Sequence, residues 1–179
     1  MAATYALTMQ LAEEQYDLVV QAGIAGAYDR SLGPGEVVFV SKELLGDTGA
    51  EDRYQFLDIF DLGLASIDQI PFHNKTLINP MQPDPMIAAL KTATGLSVNL
   101  TAGTAYTAEL RQRKYGCTIE SMEGAALHYV CLLRRQAFVQ IRSISNYVEA
   151  RDRSGWKIPE AVQALNHWLW QWLHQDLAI

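Results

Sequence analysis

The sequence predicts an α/β domain in which a mostly parallel sheet carries helices on both faces. Two observations carry that prediction. Short apolar runs suited to buried strands, such as Asp17–Ala22 and Phe138–Ser145, alternate with segments of helical period. The chain is also long and apolar enough for a layered core: 179 residues, 49% of them hydrophobic, bury about 70% of the surface their unfolded chain exposes, without help from a disulfide or a metal.

Element by element, Ala2 to Glu14 is a run of good helix formers with apolar Leu7 and Leu11 and no capping residue before it. Asp17 to Gly23 reads as a buried strand, and Gly23-Ile24-Ala25-Gly26-Ala27 keeps the side chains at its end small. Ser31-Leu32-Gly33-Pro34-Gly35 is a turn, and Glu36 to Lys42 is the next strand. Residues 43–83 mix Gly, Asp, Pro and short apolar pairs, which predicts irregular structure with one or two short elements. A helix is expected from Pro85 to Thr94 and an alternating strand from Leu96 to Thr101. A helix near Thr107–Lys114, a strand near Cys117–Glu120, a helix over Glu123–Arg134 and a strand over Phe138–Ser145 follow. A polar loop, 146–157, carries Arg151, Asp152 and Arg153. Pro159 then opens a last helix with Ala161, Val162, Leu165, Trp168, Leu169 and Trp172 on one broad face. Trp170 cannot share that face, which leaves it for solvent or a second subunit. No repeat, low-complexity tract or linker divides residues 1–179, so a single domain is expected.

Composition excludes several classes of function. Fourteen Lys and Arg against twenty Asp and Glu give a net charge of −6 with no basic run, so nothing is set to neutralise a nucleic-acid backbone. No apolar run approaches the ~20 residues of a membrane span, and no signal-peptide pattern opens the chain; a cytoplasmic protein is expected. Cys117 and Cys131 lack disulfide-framework and zinc spacing, and the four histidines lack metal-ligand spacing. No metal and no cofactor are expected.

Three segments hold residues suited to chemistry: the small-residue run at 23–27, Glu120-Ser121-Met122-Glu123-Gly124-Ala125-Ala126 before a helix, and Arg142-Ser143-Ile144-Ser145-Asn146 at the exit of an apolar strand. Beyond the carboxyl ends of sheet strands, all three could face one crevice. Each also has a purely structural reading. Small residues pack helix on sheet, acidic residues cap helices, and Asn commonly turns the chain. Glu120 fits the capping role better than Glu123, whose neighbours Gly124-Ala125-Ala126 leave space beside its carboxylate.

Taken together and in order, Gln21-Ala22-Gly23-Ile24-Ala25-Gly26, Gly35-Glu36-Val37-Val38, Glu120-Ser121-Met122-Glu123-Gly124-Ala125-Ala126 and Ile141-Arg142-Ser143-Ile144-Ser145-Asn146 resemble the successive motifs of the purine nucleoside phosphorylase and methylthioadenosine nucleosidase superfamily. Within it, Leu45-Gly46-Asp47-Thr48-Gly49-Ala50-Glu51-Asp52 and Ser145-Asn146-Tyr147-Val148-Glu149-Ala150-Arg151-Asp152-Arg153 look most like the futalosine hydrolase family of an alternative menaquinone pathway. The resemblance implies a three-layer nucleoside phosphorylase-like domain with a central mixed, mostly parallel sheet.

It also implies a cofactor-independent N-ribosyl hydrolase that releases hypoxanthine from futalosine, a small-molecule nucleoside substrate, and a homodimer or higher homo-oligomer. By this resemblance Met122 and Glu123 lie against the ribose, Ile24, Ala25 and Gly26 line the site, and Asn146 stands where adenine-type relatives carry a proton-donating Asp. An amide donates one hydrogen bond and accepts another but is no general acid, which suits a 6-oxopurine over adenine. Phosphorolytic relatives carry an arginine at the position of Gln21, so water is the expected nucleophile. Arg151 or Arg153 would pair with the carboxylate of the 5′ substituent, and Trp156 would pack on its ring.

Two alternatives are a methylthioadenosine/S-adenosylhomocysteine or aminofutalosine nucleosidase, which Asn146 disfavours, and a nucleoside-binding protein without catalysis. The resemblance further implies that the sequence corresponds to the larger, C-terminal part of the family's domain. Relatives supply a water-activating glutamate from just after their first strand. Glu13 and Glu14 fall in the helix that follows that region and do not take its role.

Overall fold

Residues 1–175 are described by a computed structural model. In chain order the elements are α1 (Ala2–Glu13), β1 (Val19–Ala27), β2 (Val37–Leu45), β3 (Gly49–Asp52), β4 (Gln55–Asp58), β5 (Leu77–Ile78), α2 (Pro85–Ala88), β6 (Lys91–Ser97), α3 (Ala105–Tyr115), β7 (Ile119–Ser121), α4 (Gly124–Arg134), β8 (Phe138–Tyr147) and α5 (Ile158–Leu173), with a 3-10 turn at Arg153–Gly155.

The α/β alternation expected from the sequence is present. The main sheet runs β5-β2-β6-β7-β1-β8, and β3 and β4 form a separate hairpin. The long pairings, β1 with β8 and β2 with β6, are parallel, while β7 meets β1 and β5 meets β2 antiparallel. One feature departs from an open sheet: the start of β2 pairs antiparallel with β8, from Val37↔Ser143 to Phe39↔Ile141, and closes the sheet on itself. Register shifts leave Ser145 of β8, opposite Ala25/Gly26 of β1, and Ser41 of β2 as extra residues, and such bulges add local bend and twist to the strands. Closure satisfies the outer edge of β8, whose residues Phe138–Ser145 are all buried. Its interior is filled by small and branched side chains, among them Ala25, Ala27, Val38, Val40, Ala93, Ile119 and Ile144.

The helix expected over Pro85–Thr94 is cut to one turn. Asp84 caps it, its side chain accepting from the Ile87 N–H, and Pro85 fits its first position. From Lys91 onward the chain is strand, not helix, and that strand ends at Ser97 instead of Thr101. Thr92, Thr94 and Gly95 are poor helix formers, and pairing with β2 on one side and β7 on the other satisfies the backbone in extended form. In residues 43–83 three short strands form, one more than the upper expectation. Buried Asp58 at the end of β4 sits between Lys75 (3.2 Å) and Lys114 of α3 (3.5 Å), which ties the hairpin to the body.

Helix α5 buries Ala161, Leu165 and Trp172 against a core that includes Phe39, Ile87, Val139 and Ile141. Val162, expected on that face, is exposed instead. Trp168 stacks on Trp172 at 5.7 Å, and the Trp172 indole donates to Asp84 Oδ2 at 2.6 Å, fastening α5 to the cap of α2. Trp170 points outward and stacks on His174. Leu7 and Leu11 of α1 pack against Leu127, Cys131 and Phe138. Cys117 and Cys131 are free and buried. Among the described residues no helix is long and apolar enough to cross a membrane.

Candidate active site

The three segments singled out in the sequence meet at one cleft of about 220 Å³. Its walls are Ile24, Ala25 and Gly26 of β1, Glu120 to Glu123 at the β7–α4 junction, Ser145 to Arg151 at the exit of β8, and Thr101, Ala102 and Trp156. Met122, Glu123, Asn146, Arg151 and Trp156 therefore share one space with the small-residue run. Arg153 is not part of the wall; its guanidinium lies 5.8 Å from the ring of Trp156, and that of Arg151 lies 5.6 Å from the same ring.

Glu123 occupies the N-cap position of α4 yet makes no side-chain cap hydrogen bond. Its carboxylate, 51% exposed, is instead 3.7 Å from Nη2 of Arg142, which is 4% exposed. The same Nη2 donates to Gln21 Oε1 at 2.7 Å, and Gln21 Nε2 donates to the Glu123 backbone carbonyl at 3.3 Å. Gly23 makes room for this arrangement, because a Cβ there would overlap the Arg142 guanidinium. Gln21 thus holds a cation and a helix start in place.

Beneath α4 lies a buried polar layer. The Glu43 carboxylate accepts from Ser97 Oγ and from Gln140 Nε2, both at 2.9 Å, and Ser97 Oγ accepts from the Ala125 N–H at 2.6 Å. Burial pushes the Glu43 carboxyl up to about 7, against the opposing pull of those hydrogen bonds and of Arg142. Gly95 and Gly124 both face Glu43 with no room for a side chain. His128, buried nearby, has its Nδ1 3.3 Å from the Leu77 carbonyl, and burial pushes its imidazole down to about 4. It is a neutral packing residue away from the cleft.

Asn146 has a fixed amide orientation. Its Oδ1 accepts from Ser145 Oγ at 2.8 Å, and its Nδ2 donates to the Tyr147 carbonyl at 2.9 Å, which leaves one N–H for a ligand. Arg151 is held across the mouth by its backbone N–H on the Gly103 carbonyl (3.2 Å) and by Nη1 on Thr101 Oγ1 (3.3 Å).

Glu120, read from sequence as a helix-capping residue, is nothing of the kind. It is buried on β7 and lines the cleft, its Oε2 accepting from Tyr28 Oη at 2.6 Å and from Arg111 Nη1 at 3.0 Å. Sequence reasoning gave Glu120 only the capping role, gave Arg142 no part of its own within its segment, and passed over Glu43. Arg142 and Glu120 did carry a signal, a charge inside or beside an apolar strand, which is too costly to bury unpaired. Glu43 sits next to Lys42 and gave none. Among the described residues no group of three or more His, Cys, Asp or Glu side chains is placed to hold a metal ion.

A cleft built from a glycine-rich strand end, a Met-Glu helix start and a polar strand exit on a mixed, partly closed sheet defines the class. The model of the phosphorylase superfamily matches residues 1–169, and the chain belongs to that superfamily. Within it, the chain is 34% identical to a futalosine hydrolase of Streptomyces coelicolor over 157 residues, covering 84% of this chain and 62% of that protein. It is 30% identical to a futalosine hydrolase of Thermus thermophilus over 165 residues, covering 91% of this chain and 72% of that one. The fold is also that of the 5'-methylthioadenosine/S-adenosylhomocysteine nucleosidase from Colwellia psychrerythraea solved in complex with adenine, with a TM-score of 0.74, 22% identity, and coverage of 94% and 71% of the two chains. The chain therefore spans about three fifths to three quarters of the length of these proteins.

Proposed function

We propose that the protein is a cytoplasmic purine nucleosidase that hydrolyses the N-glycosidic bond of futalosine and releases hypoxanthine, in the futalosine route to menaquinone. Asn146 carries this reading. It lines the cleft and keeps one N–H unused, which would serve as a donor for N7 or O6 of a 6-oxopurine, and the side chain has no proton to give an adenine leaving group. The names of the two curated relatives support the same substrate.

In the reaction the C1′–N9 bond breaks, its electron pair leaves with the base, and a water oxygen bonds to C1′ while the water's proton ends on the purine. The sugar becomes oxocarbenium-like on the way. The Glu123 carboxylate, oriented by Arg142, would bind the vicinal hydroxyls and stabilise that cation more than the neutral ground state. Met122 would lie under the ribose, and Ile24, Ala25 and Gly26 would admit the base. Gln21 puts an amide where a phosphate cradle would need a cation, so water is the expected nucleophile.

The test is direct. Incubation of the chain with futalosine is expected to release hypoxanthine at the same rate with and without phosphate. Release that requires phosphate, or faster adenine release from the matched aminofutalosine, overturns the reading. A homodimer fits the outward-facing Trp170 and the exposed Leu64 and Ile70, and a monomeric mass for the active preparation in sedimentation would exclude it.

The 5′ substituent would meet Arg151 and Trp156 in the cleft wall, with the Arg153 guanidinium 5.8 Å from the same indole. An Arg151→Ala, Arg153→Ala double variant is expected to raise the KM for futalosine about tenfold and to leave the KM for inosine, which lacks the benzoate, within about twofold. Equal effects on the two substrates would remove both arginines from recognition.

A further inference from the structure

The segment Gly46-Asp47-Thr48-Gly49 leaves the end of β2 and is no part of the cleft wall, yet it brings Asp47 against the chain that leaves β6. Gly46 permits that approach. Its N–H donates to the Ser97 carbonyl at 2.8 Å, and a Cβ there would fall 2.7 Å from Leu96 Cγ and 2.8 Å from Val98 Cγ1. Asp47 Oδ2 then accepts from the Asn99 N–H at 2.6 Å and the Leu100 N–H at 2.9 Å, while Oδ1 accepts from Asn99 Nδ2 at 3.1 Å. Hydrogen bonds to a carboxylate are roughly twice as strong as those between neutral groups.

Residues 99–103 belong to no helix or strand, so their backbone groups take partners from elsewhere. Two carboxylates supply them: Asp47 for Asn99 and Leu100, and Glu120 Oε1 for the Ala102 N–H at 3.4 Å. Arg111 Nη2 donates to the Leu100 carbonyl at 2.8 Å. The residues that follow, Thr101 and Ala102, line the cleft. Thr101 Oγ1 accepts from Arg151 Nη1 at 3.3 Å, and the Gly103 carbonyl accepts from the Arg151 N–H at 3.2 Å. Among the described residues, both hydrogen bonds that Arg151 donates go to this one segment.

We propose that Asp47 is a positioning residue for recognition of the 5′ substituent: it fixes residues 99–103 and, through Thr101 and Gly103, the place of Arg151 in the cleft wall. The inference rests on the proposed nucleosidase reading, with Arg151 as the partner of the substrate carboxylate, and deepens it. Asp47 has the same sign of charge as that carboxylate, so its charge attracts nothing there. Its contribution is order. An Arg151 held in place before the substrate arrives loses less side-chain freedom on binding. Without Asp47 the Asn99 and Leu100 N–H groups turn to water, and the two anchors of Arg151 loosen with them.

Steady-state kinetics with futalosine and inosine tests this. Asp47→Ala is expected to raise the KM for futalosine about fivefold and that for inosine no more than about twofold. Asp47→Asn can still accept both backbone N–H groups on one oxygen, as Oδ2 does, and is expected to stay within about twofold on both substrates. In an Arg151→Ala chain, where the contact is already gone, adding Asp47→Ala is expected to change the KM for futalosine by less than about twofold. If Asp47→Ala does not fold, Asp47→Ser, too short to reach both N–H groups, replaces it. A merely structural Asp47 would act equally on the two substrates and would add its full factor without Arg151. Either result overturns the role of Asp47, as does an unchanged KM in Asp47→Ala; a raised KM in Arg151→Ala then leaves the reading of Arg151 standing. An unchanged KM for futalosine in Arg151→Ala, or no hypoxanthine release by the unaltered chain, overturns both.

Discussion

Glu123→Gln is expected to lower hypoxanthine release at least 100-fold and to leave the melting temperature unchanged within about 2 °C. The two halves of that result have separate causes. The carboxylate caps no backbone group of α4, and half of it is exposed, so the fold does not depend on its charge. Gln keeps the shape and one acceptor, and with them most of the contact with the ribose hydroxyls. What it loses is the negative charge opposite a developing sugar cation, while Arg142 keeps its bond to Gln21 Oε1 and the attraction of the buried Glu43 carboxylate. The loss should therefore fall on kcat with little change in KM. Steady-state kinetics and a thermal melt on the same preparation check it. Turnover near that of the unaltered protein would remove Glu123 from the reaction, and a large fall in melting temperature would make its role structural.

Gly124→Ala is expected to cost the largest share of stability of any single methyl addition near the site. At the first position of a helix, Ala in place of Gly normally gains up to about 1 kcal/mol. Here the added Cβ would fall inside the Glu43 carboxylate and 2.6 Å from Gln140 Nε2. Neither can move aside. Glu43 and Gln140 are fully buried, bonded to each other, and Glu43 is further bonded to Ser97, which also holds the Ala125 N–H of the same helix. Overpacking of this kind costs about 3 kcal/mol, which for a chain of this length lowers the melting temperature by about 6–12 °C. Gly103→Ala, where nothing lies within 4 Å of the new carbon, serves as the reference and should be near neutral. A raised melting temperature for Gly124→Ala would show that the polar layer under α4 yields.

Particular residues show why some of the molecule was legible in the sequence and some was not. The strand at Phe138–Tyr147 announced itself as an apolar run and α5 by apolar residues at helical spacing. By contrast, β1, expected as a buried strand over Asp17–Gly23, buries none of those residues and runs on to Ala27, because only its far end passes under the core. Lys91–Thr94 read as the end of a helix because local pattern does not reveal that β2 and β7 offer hydrogen bonds on both sides. Met122, Glu123 and Asn146 could be picked out because their neighbours are informative at short range. Glu120 could not be separated from a helix cap, since what distinguishes it is Arg111 nine residues away and Tyr28 just past the end of β1.

By itself, then, the sequence determined the alternation of strands and helices, a net charge of −6 with no basic run, and the three segments that carry polar groups at strand ends. Those are properties of composition and of short-range period, and a single chain displays them. Only the tertiary structure decided that β2 returns to β8 and closes the sheet, that Arg142 and Gln21 hold the Glu123 end of α4, and that Glu120, Gly26 and Asn146 stand in one row. Each of these is a pairing between residues distant in the chain. Its energy comes from hydrogen bonds and ion pairs made in a buried place, where an unpaired charge is costly and a paired one is fixed in position.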